Sequence, residues 1–407
     1  MIGYAGMTHL GLNSAAAAAE KGFSILCFDP NPELISQLKN GQFSIVEPQL
    51  KELFEKNQNR IHFSSNPADL SRCEVVYISP DIPTNDQGQS DLTFIESLIR
   101  QVTPWLSREA ILVILSQVPP GFTSKFRSAQ TFYQVETLIF GQAIERALKP
   151  ERFIIGASDP SKPLPEKWQT FLNAFDCPIL TMRYESAELC KIAINLFLVS
   201  SVSTTNTIAE LCEKIGADWF EIRPALELDK RIGKHAYLAP GLGIAGGNLE
   251  RDLATFTHFA NLHGTDSGII QAWQKNAQHR RDWVLRKLHE VVRFDKKTRF
   301  ALLGLSYKKD TSSLKNSVAI EILSHLQDCA VRTYDPVVKS LPDCYKNIEM
   351  APSFAEAIRK ADVILIMTPW DEFKKISSEE IVGKIVIDPF GILKNCDQPN
   401  YHKLGVS

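Results

Sequence analysis

Gly6, Thr8 and Gly11 lie between a very short apolar run and the alanine-rich stretch Ala15–Ala19, and Asp29 follows 23 residues after Gly6, at the end of the next apolar run. The segment departs from the G-x-G-x-x-G dinucleotide fingerprint at its middle position. Gly6 can make the tight turn, and Gly11 can let a helix pack closely on a strand. At Thr8 a side chain stands where the backbone normally approaches a pyrophosphate. An acid about 20 residues beyond the glycines accepts hydrogen bonds from the adenosine ribose. Asp29 holds that place, and its charge favours NAD over NADP because it would repel a 2′-phosphate. Gly6, Met7, Thr8, Gly11 and Asp29 are therefore the expected cofactor residues. A strand–helix turn that binds nothing would also use glycines, but it would not need the acid in register. His9 reads as a solvent-side loop residue without a chemical role.

A second glycine-rich loop, 239–247, places Gly241, Gly243, Gly246 and Gly247 shortly before Asp252, which favours close approach of backbone to a ligand. Lys191 and Asn195 are four apart in a helical stretch and share a face. Plainer roles exist for both acid and base: Lys191 pairing with Glu188, and Asp252 sitting near a helix N-terminus where the dipole favours it. Cys190 is turned about 100° from Lys191 on a helix and is expected against the core, not as a nucleophile.

These residues need elements to hold them. Ser24–Phe28, Val75–Ser79 and Ala110–Leu115 are buried-strand candidates with helical periods between them, a pattern that argues for a parallel sheet covered on both faces. One long helical period, free of Gly and Pro, is expected from about Glu185 to Gly216, and a second helical stretch from about Leu249 to Val292. After Lys296-Lys297 the alternation restarts with apolar runs at 300–303, 331–334, 363–367 and 385–387. The expected organisation is α/β at both ends: an N-terminal Rossmann-type domain over 1–184, a central helical region over 185–293, and a C-terminal Rossmann-like domain over 294–407.

Composition narrows the class. A chain of 407 residues with 44% hydrophobic and 23% charged residues is an ordinary globular protein of two or three domains. A net charge of -2 gives no broad electrostatic surface for nucleic acid. No stretch is expected to reach the length of a membrane span, and the first residues already belong to the glycine loop, so no leader is expected. The eight cysteines are scattered without a CxxC pair. That pattern fits reduced cytoplasmic thiols, with no metal site expected.

The order and spacing of a longer set of segments resemble the nucleotide-sugar 6-dehydrogenases, the UDP-glucose/GDP-mannose dehydrogenase family. Pro240-Gly241-Leu242-Gly243-Ile244-Ala245-Gly246-Gly247-Asn248-Leu249-Glu250-Arg251-Asp252-Leu253 is similar to that family's active-site loop, with Asn248 at the position of its nucleophilic Cys. Val46-Glu47-Pro48-Gln49-Leu50, Asp81-Ile82-Pro83-Thr84-Asn85 and Ser116-Gln117-Val118-Pro119-Pro120-Gly121 also resemble family segments, although Gln117 replaces a Thr. Glu136 keeps an acid, and Glu188, Lys191 and Asn195 keep a helical motif. Arg231-Ile232-Gly233, Tyr237-Leu238-Ala239 and Gly304-Leu305-Ser306-Tyr307-Lys308 match segments that contact the sugar nucleotide. Lys315 stands for one Arg and Phe390 for another.

The resemblance implies NAD as cofactor, with Pro83, Ser116 and Lys315 joining the cofactor residues. It implies a nucleotide-activated sugar as substrate, UDP-linked in preference to GDP-linked, with contacts from Glu136, Lys191, Arg231, Tyr237, Gly243 and Lys308. Lys191, Asn195, Asp252 and Glu136 are the expected proton-handling set, with Asn248 beside them. It also implies a homodimer through the central helix. An amide is not a nucleophile and forms no thioester, so a two-electron or redox-neutral oxidoreduction is expected. The alternatives are a non-catalytic sugar-nucleotide binder, a full four-electron oxidation by a thioester-independent route, and a simple 3-hydroxy-acid dehydrogenase. The second α/β end argues against the last.

Overall fold

Eight short strands form the N-terminal sheet in a computed structural model of the chain: β1 (Ile2–Ala5), β2 (Ile25–Phe28), β3 (Ile61–Ser64), β4 (Val75–Ile78), β5 (Ile111–Ile114), β6 (Thr131–Gln134), β7 (Phe153–Ala157) and β8 (Ile179–Arg183). The structure describes every residue except 46, 86–87, 245–247, 294–296, 346–347, 394–395, 397 and 407. Strand order is β3-β2-β1-β4-β5-β6-β7-β8. All neighbours are parallel except β6 and β7, which run antiparallel and so modify the expected all-parallel sheet. β1, β2, β4 and β5 are buried at every position. Strands covered on both faces read as unbroken apolar runs, which is why these were visible in the sequence.

Register decides where the chemistry goes. Ala5 pairs with both Phe28 and Ile78, so β1, β2 and β4 end side by side. The loops beginning at Gly6, Asp29 and Ser79 therefore leave from one edge of the sheet, where open α/β sheets bind ligands. The helix His9–Glu20 follows β1 and presses Ala15–Ala19 into the core with almost no exposure. Alanines there keep helix and sheet close.

The chain divides into two compact units, Met1–Ile194 and Asn195–Ser407. The second contains the helices Trp219–Leu228, Asn248–His263, Gly268–Arg281 and Trp283–Val291. The single helical stretch expected from Leu249 to Val292 is thus three helices, the first break lying at Gly264, whose φ is +65°. A six-stranded parallel sheet follows: β9 (Arg299–Leu303), β10 (Ala330–Tyr334), β11 (Glu349–Met350), β12 (Val363–Ile366), β13 (Ile385–Ile387) and β14 (Tyr401–His402), in the order β11-β10-β9-β12-β13-β14.

The helix Tyr184–Ile215 runs through the boundary of the two units. It corrects one expectation, because by length and composition it could span a membrane. A core helix of a soluble protein has the same properties. Glu188, Lys191 and Asn195 on this helix are buried and paired within the chain, while Phe197, Leu211 and Ile215 are exposed.

Candidate active site

The N-terminal glycines are required by their surroundings. Gly6 turns with φ +98°, and a Cβ there would meet the Pro80 nitrogen at 2.7 Å. A Cβ on Gly11 would stand 2.0 Å from the Gly6 carbonyl oxygen. Asp29, 5% exposed, accepts the Met7 N–H at 2.9 Å and the Asn31 N–H at 3.0 Å. It thereby ties the glycine loop to the end of β2. Its two oxygens retain acceptor capacity for a ribose. The Ser116 hydroxyl donates to the Pro80 carbonyl at 2.6 Å, so it braces the loop after β4, on which Pro83 is exposed.

Thr8 precedes the helix His9–Glu20, and its hydroxyl oxygen accepts the Asp81 N–H at 2.8 Å. His9 corrects the expectation of a solvent-side loop residue. It is the first residue of the helix, 8% exposed, with Nε2 2.8 Å from Glu47 and its ring tilted against Phe140, centroids 4.1 Å apart. Glu47 also accepts the N–H groups of Gly141 and Ala143 at 3.1 and 2.9 Å. Sequence reading did not single out Asp81 or Glu47 as site residues. Each lies in a segment that resembles the family, Glu47 in 46–50 and Asp81 in 81–85.

Lys191 is 9% exposed, and its ammonium lies 3.1 Å from Glu136, whose other oxygen accepts the Leu138 N–H at 2.8 Å. The suggested pairing with Glu188 does not form. Glu188 instead accepts the N–H groups of Gly121 and Thr123 at 2.6 and 2.8 Å, fastening the loop that contains Gln117 to the long helix. Burial pushes the Glu188 carboxyl above its usual range, against the pull of those donors. Cys190 is half-buried and packs against apolar core, as expected.

In the second unit Asn195 donates to Asp252, and Arg251 approaches the other Asp252 oxygen at 3.3 Å. Asp252, the fifth residue of the helix Asn248–His263, is 1% exposed and is held by these side chains near the helix N-terminus. Asn248 is the exposed first residue of the helix Asn248–His263. Gly243 turns with φ +81°, and a Cβ there would meet the Ala277 carbonyl at 2.4 Å. Helix packing thus accounts for that glycine. Gly241 has open space and donates its N–H to Asn206 at 2.8 Å. Gly246 and Gly247 lie outside the described residues. Arg231 is exposed and pairs with Asp229 at 2.6 Å, and Tyr237 is also exposed. Lys308 is half-buried beside the Tyr307 ring, while Lys315 is exposed ahead of the helix Val318–His325. Among the described residues no group of three or more His, Cys, Asp or Glu side chains could hold a metal ion.

The pressed Gly6–Gly11 turn, an alanine-rich helix starting at once behind it, and a buried acid at the end of β2 fit a dinucleotide. The fold and this loop define an NAD-dependent dehydrogenase carrying a second α/β sheet. The chain matches the NAD binding domain of the UDP-glucose/GDP-mannose dehydrogenase family over residues 1–170, its central domain over 185–278 and its UDP binding domain over 301–395. It belongs to that family, whose members are NAD-dependent oxidoreductases of nucleotide sugars. The UDP-glucose 6-dehydrogenase TuaD of Bacillus subtilis is 29% identical over 92% of this chain and 85% of its own length. The UDP-glucose 6-dehydrogenase of Rickettsia typhi is 28% identical over 97% of this chain and 96% of its own. Among solved structures, a UDP-glucose dehydrogenase from Pyrobaculum islandicum superposes with a TM-score of 0.87 at 25% identity, covering 98% of this chain and 96% of its own.

Proposed function

We propose that this chain oxidises a UDP-linked sugar with NAD and that it does so without a thioester. One feature carries the reading: by resemblance Asn248 takes the position of the family's nucleophilic Cys, while a polar pair is kept within each unit. Lys191 with Glu136, and Asn195 with Asp252, are buried and paired. NAD, when bound, accepts the hydride. Lys191 would hold the alkoxide or a water at the reacting hydroxyl as negative charge develops, and Asn195 with Asp252 would orient that water. Asn248 would hydrogen-bond the substrate and form no covalent bond. The matched UDP binding domain and the UDP-glucose relatives support UDP over GDP.

The functional unit proposed is a homodimer through the long helix. Phe197 on it is 78% exposed and Leu211 56%, large apolar side chains that a single chain leaves in water. Arg231 would then reach the neighbouring subunit's substrate, and Lys308 the nucleotide. The segments 1–184, 185–293 and 294–407 are proposed as cofactor, dimerisation and nucleotide-sugar domains. All eight cysteines are thiols, which suits a reducing cytoplasm.

NADH formed per UDP-sugar consumed is the test. One equivalent, or none with an isomerised product, supports the reading. Two equivalents with a uronic acid product overturn it in favour of a four-electron route. Lys191→Ala should lower turnover about 1,000-fold with NAD binding retained. Absence of any turnover with UDP- or GDP-sugars that nevertheless bind identifies a non-catalytic binder.

A further inference from the structure

The first N–H group of the cofactor helix already has an anion on it. Asp81 Oδ2 accepts the His9 N–H at 2.9 Å, and the Asp81 N–H donates in return to Thr8 Oγ1 at 2.8 Å. Thr8 makes no side-chain cap on its own helix. The loop after β4 supplies the cap in its place. In a dinucleotide fold this helix end, with its exposed donors and positive dipole, is where the pyrophosphate binds.

We propose that Asp81 competes with the NAD pyrophosphate for the N-terminus of the helix His9–Glu20, so that cofactor binding requires Asp81 to withdraw or to lose its charge. The proposal rests on NAD being the cofactor. Thr8 is part of the same device. It replaces the glycine that would open the backbone to the phosphates, and its hydroxyl holds the competing loop in place.

The position of Asp81 separates it from a purely structural cap. Asp29 is buried beneath the glycine loop and holds it from behind. Asp81 is an exposed residue of the loop after β4 and takes the first N–H of the helix in a part-buried bond. Although the residue is exposed overall, protein crowds its carboxyl and raises it above the ordinary range, with His9 and the Thr8 hydroxyl opposing and Glu136 adding to the rise. The charged groups facing it are His9 on the helix, itself paired with Glu47, and Glu136 after β6. The sign follows. Below its transition Asp81 is neutral and tolerates a phosphate; above it Asp81 is an anion and repels one. NAD affinity should fall as pH rises through that transition. Substitution of Asp81 isolates its part in this dependence.

Calorimetric titration of NAD into the unmutated protein, Asp81→Asn and Asp81→Ala over about pH 4.5 to 8 makes the test, with thermal melts to confirm folding. Asp81→Asn keeps an acceptor for the His9 N–H and removes the charge. It should bind NAD at least about tenfold more tightly at neutral pH, the scale of one close like-charge contact, and should lose the pH slope. Asp81→Ala should shift affinity the same way and melt lower. Binding by Asp81→Asn that is no tighter, or that keeps the slope, overturns the proposal and leaves Asp81 a structural cap. Absence of NAD binding in all three proteins overturns the cofactor assignment with it.

Discussion

The two α/β sheets place one device at the same point and use it differently. After β1 and after β9 the chain turns through a glycine, Gly6 at φ +98° and Gly304 at +90°. In each case the aspartate ending the neighbouring strand accepts the next N–H: Asp29 from Met7 at 2.9 Å, Asp335 from Leu305 at 2.7 Å. Beyond this the two diverge. Asp335 also takes the N–H groups of Ser306, Val337 and Val338 and the Trp370 indole. Five donors saturate a carboxylate, which has about four lone-pair sites. Asp29 accepts two backbone donors and keeps room for a ligand. The helix begins at His9 in the first sheet and only at Val318 in the second, after a long loop bearing Lys308 and Lys315. One architecture thus serves two ends. In the N-terminal sheet the acid keeps acceptor capacity for a dinucleotide, and the helix starts directly behind the turn. In the C-terminal sheet the acid is spent on the protein, and the loop is left to meet a ligand with side chains.

Removing each acid is the strongest way to break this comparison. Asp335→Ala strands five donors and should cost about 3–5 kcal/mol, read as a lower denaturation midpoint. Asp29→Ala should cost only about 1–2 kcal/mol, yet weaken NAD binding measured by titration. If the two stability losses are equal, the distinction between a structural and a ligand-facing acid is wrong.

A smaller effect is expected at the glycines. Gly11→Ala pushes a Cβ onto the Gly6 carbonyl and should destabilise by about 3 kcal/mol. Gly241→Ala, in open space, should change stability by less than about 1 kcal/mol in the same denaturation experiment.

The smallest effect concerns acid. Asp362 precedes β12 and bonds Arg299 at the start of β9, which holds its carboxyl at about 2, below the ordinary 3.8. A depressed carboxyl contributes stability that is full above the unfolded value and is lost as pH falls through the folded one. The Asp362 contribution should therefore disappear between 3.8 and about 2. Glu74, before β4 in the first sheet, is likewise lowered, chiefly by its bond to Lys167. Acid titration of Asp362→Asn followed by circular dichroism should show a flatter slope in that window than the unmutated protein.

What the sequence revealed follows from how local each requirement is. β4, β5 and β12 are continuous apolar runs and declared themselves. β8, half-exposed at the sheet edge, and the short β3 carry no such run. Gly6, Gly11 and Asp29 were legible because one strand, one turn and one helix impose them within a few dozen residues. The burial of His9 was not, since its partner Glu47 is 38 residues away and Asp81 is 72. Such contacts exist only once the register of the sheet is set.

The helix Tyr184–Ile215 also constrains how this gene can change. Lys191 and Asn195 stand one turn apart on it, and each is paired to a different part of the chain. One codon inserted or deleted between them would turn one side chain about 100° from the other. Substitutions along this stretch cost only what the individual side chains contribute. A change of length would separate Lys191 from Asn195, so lineages of this protein should differ in the composition of that segment and not in its length.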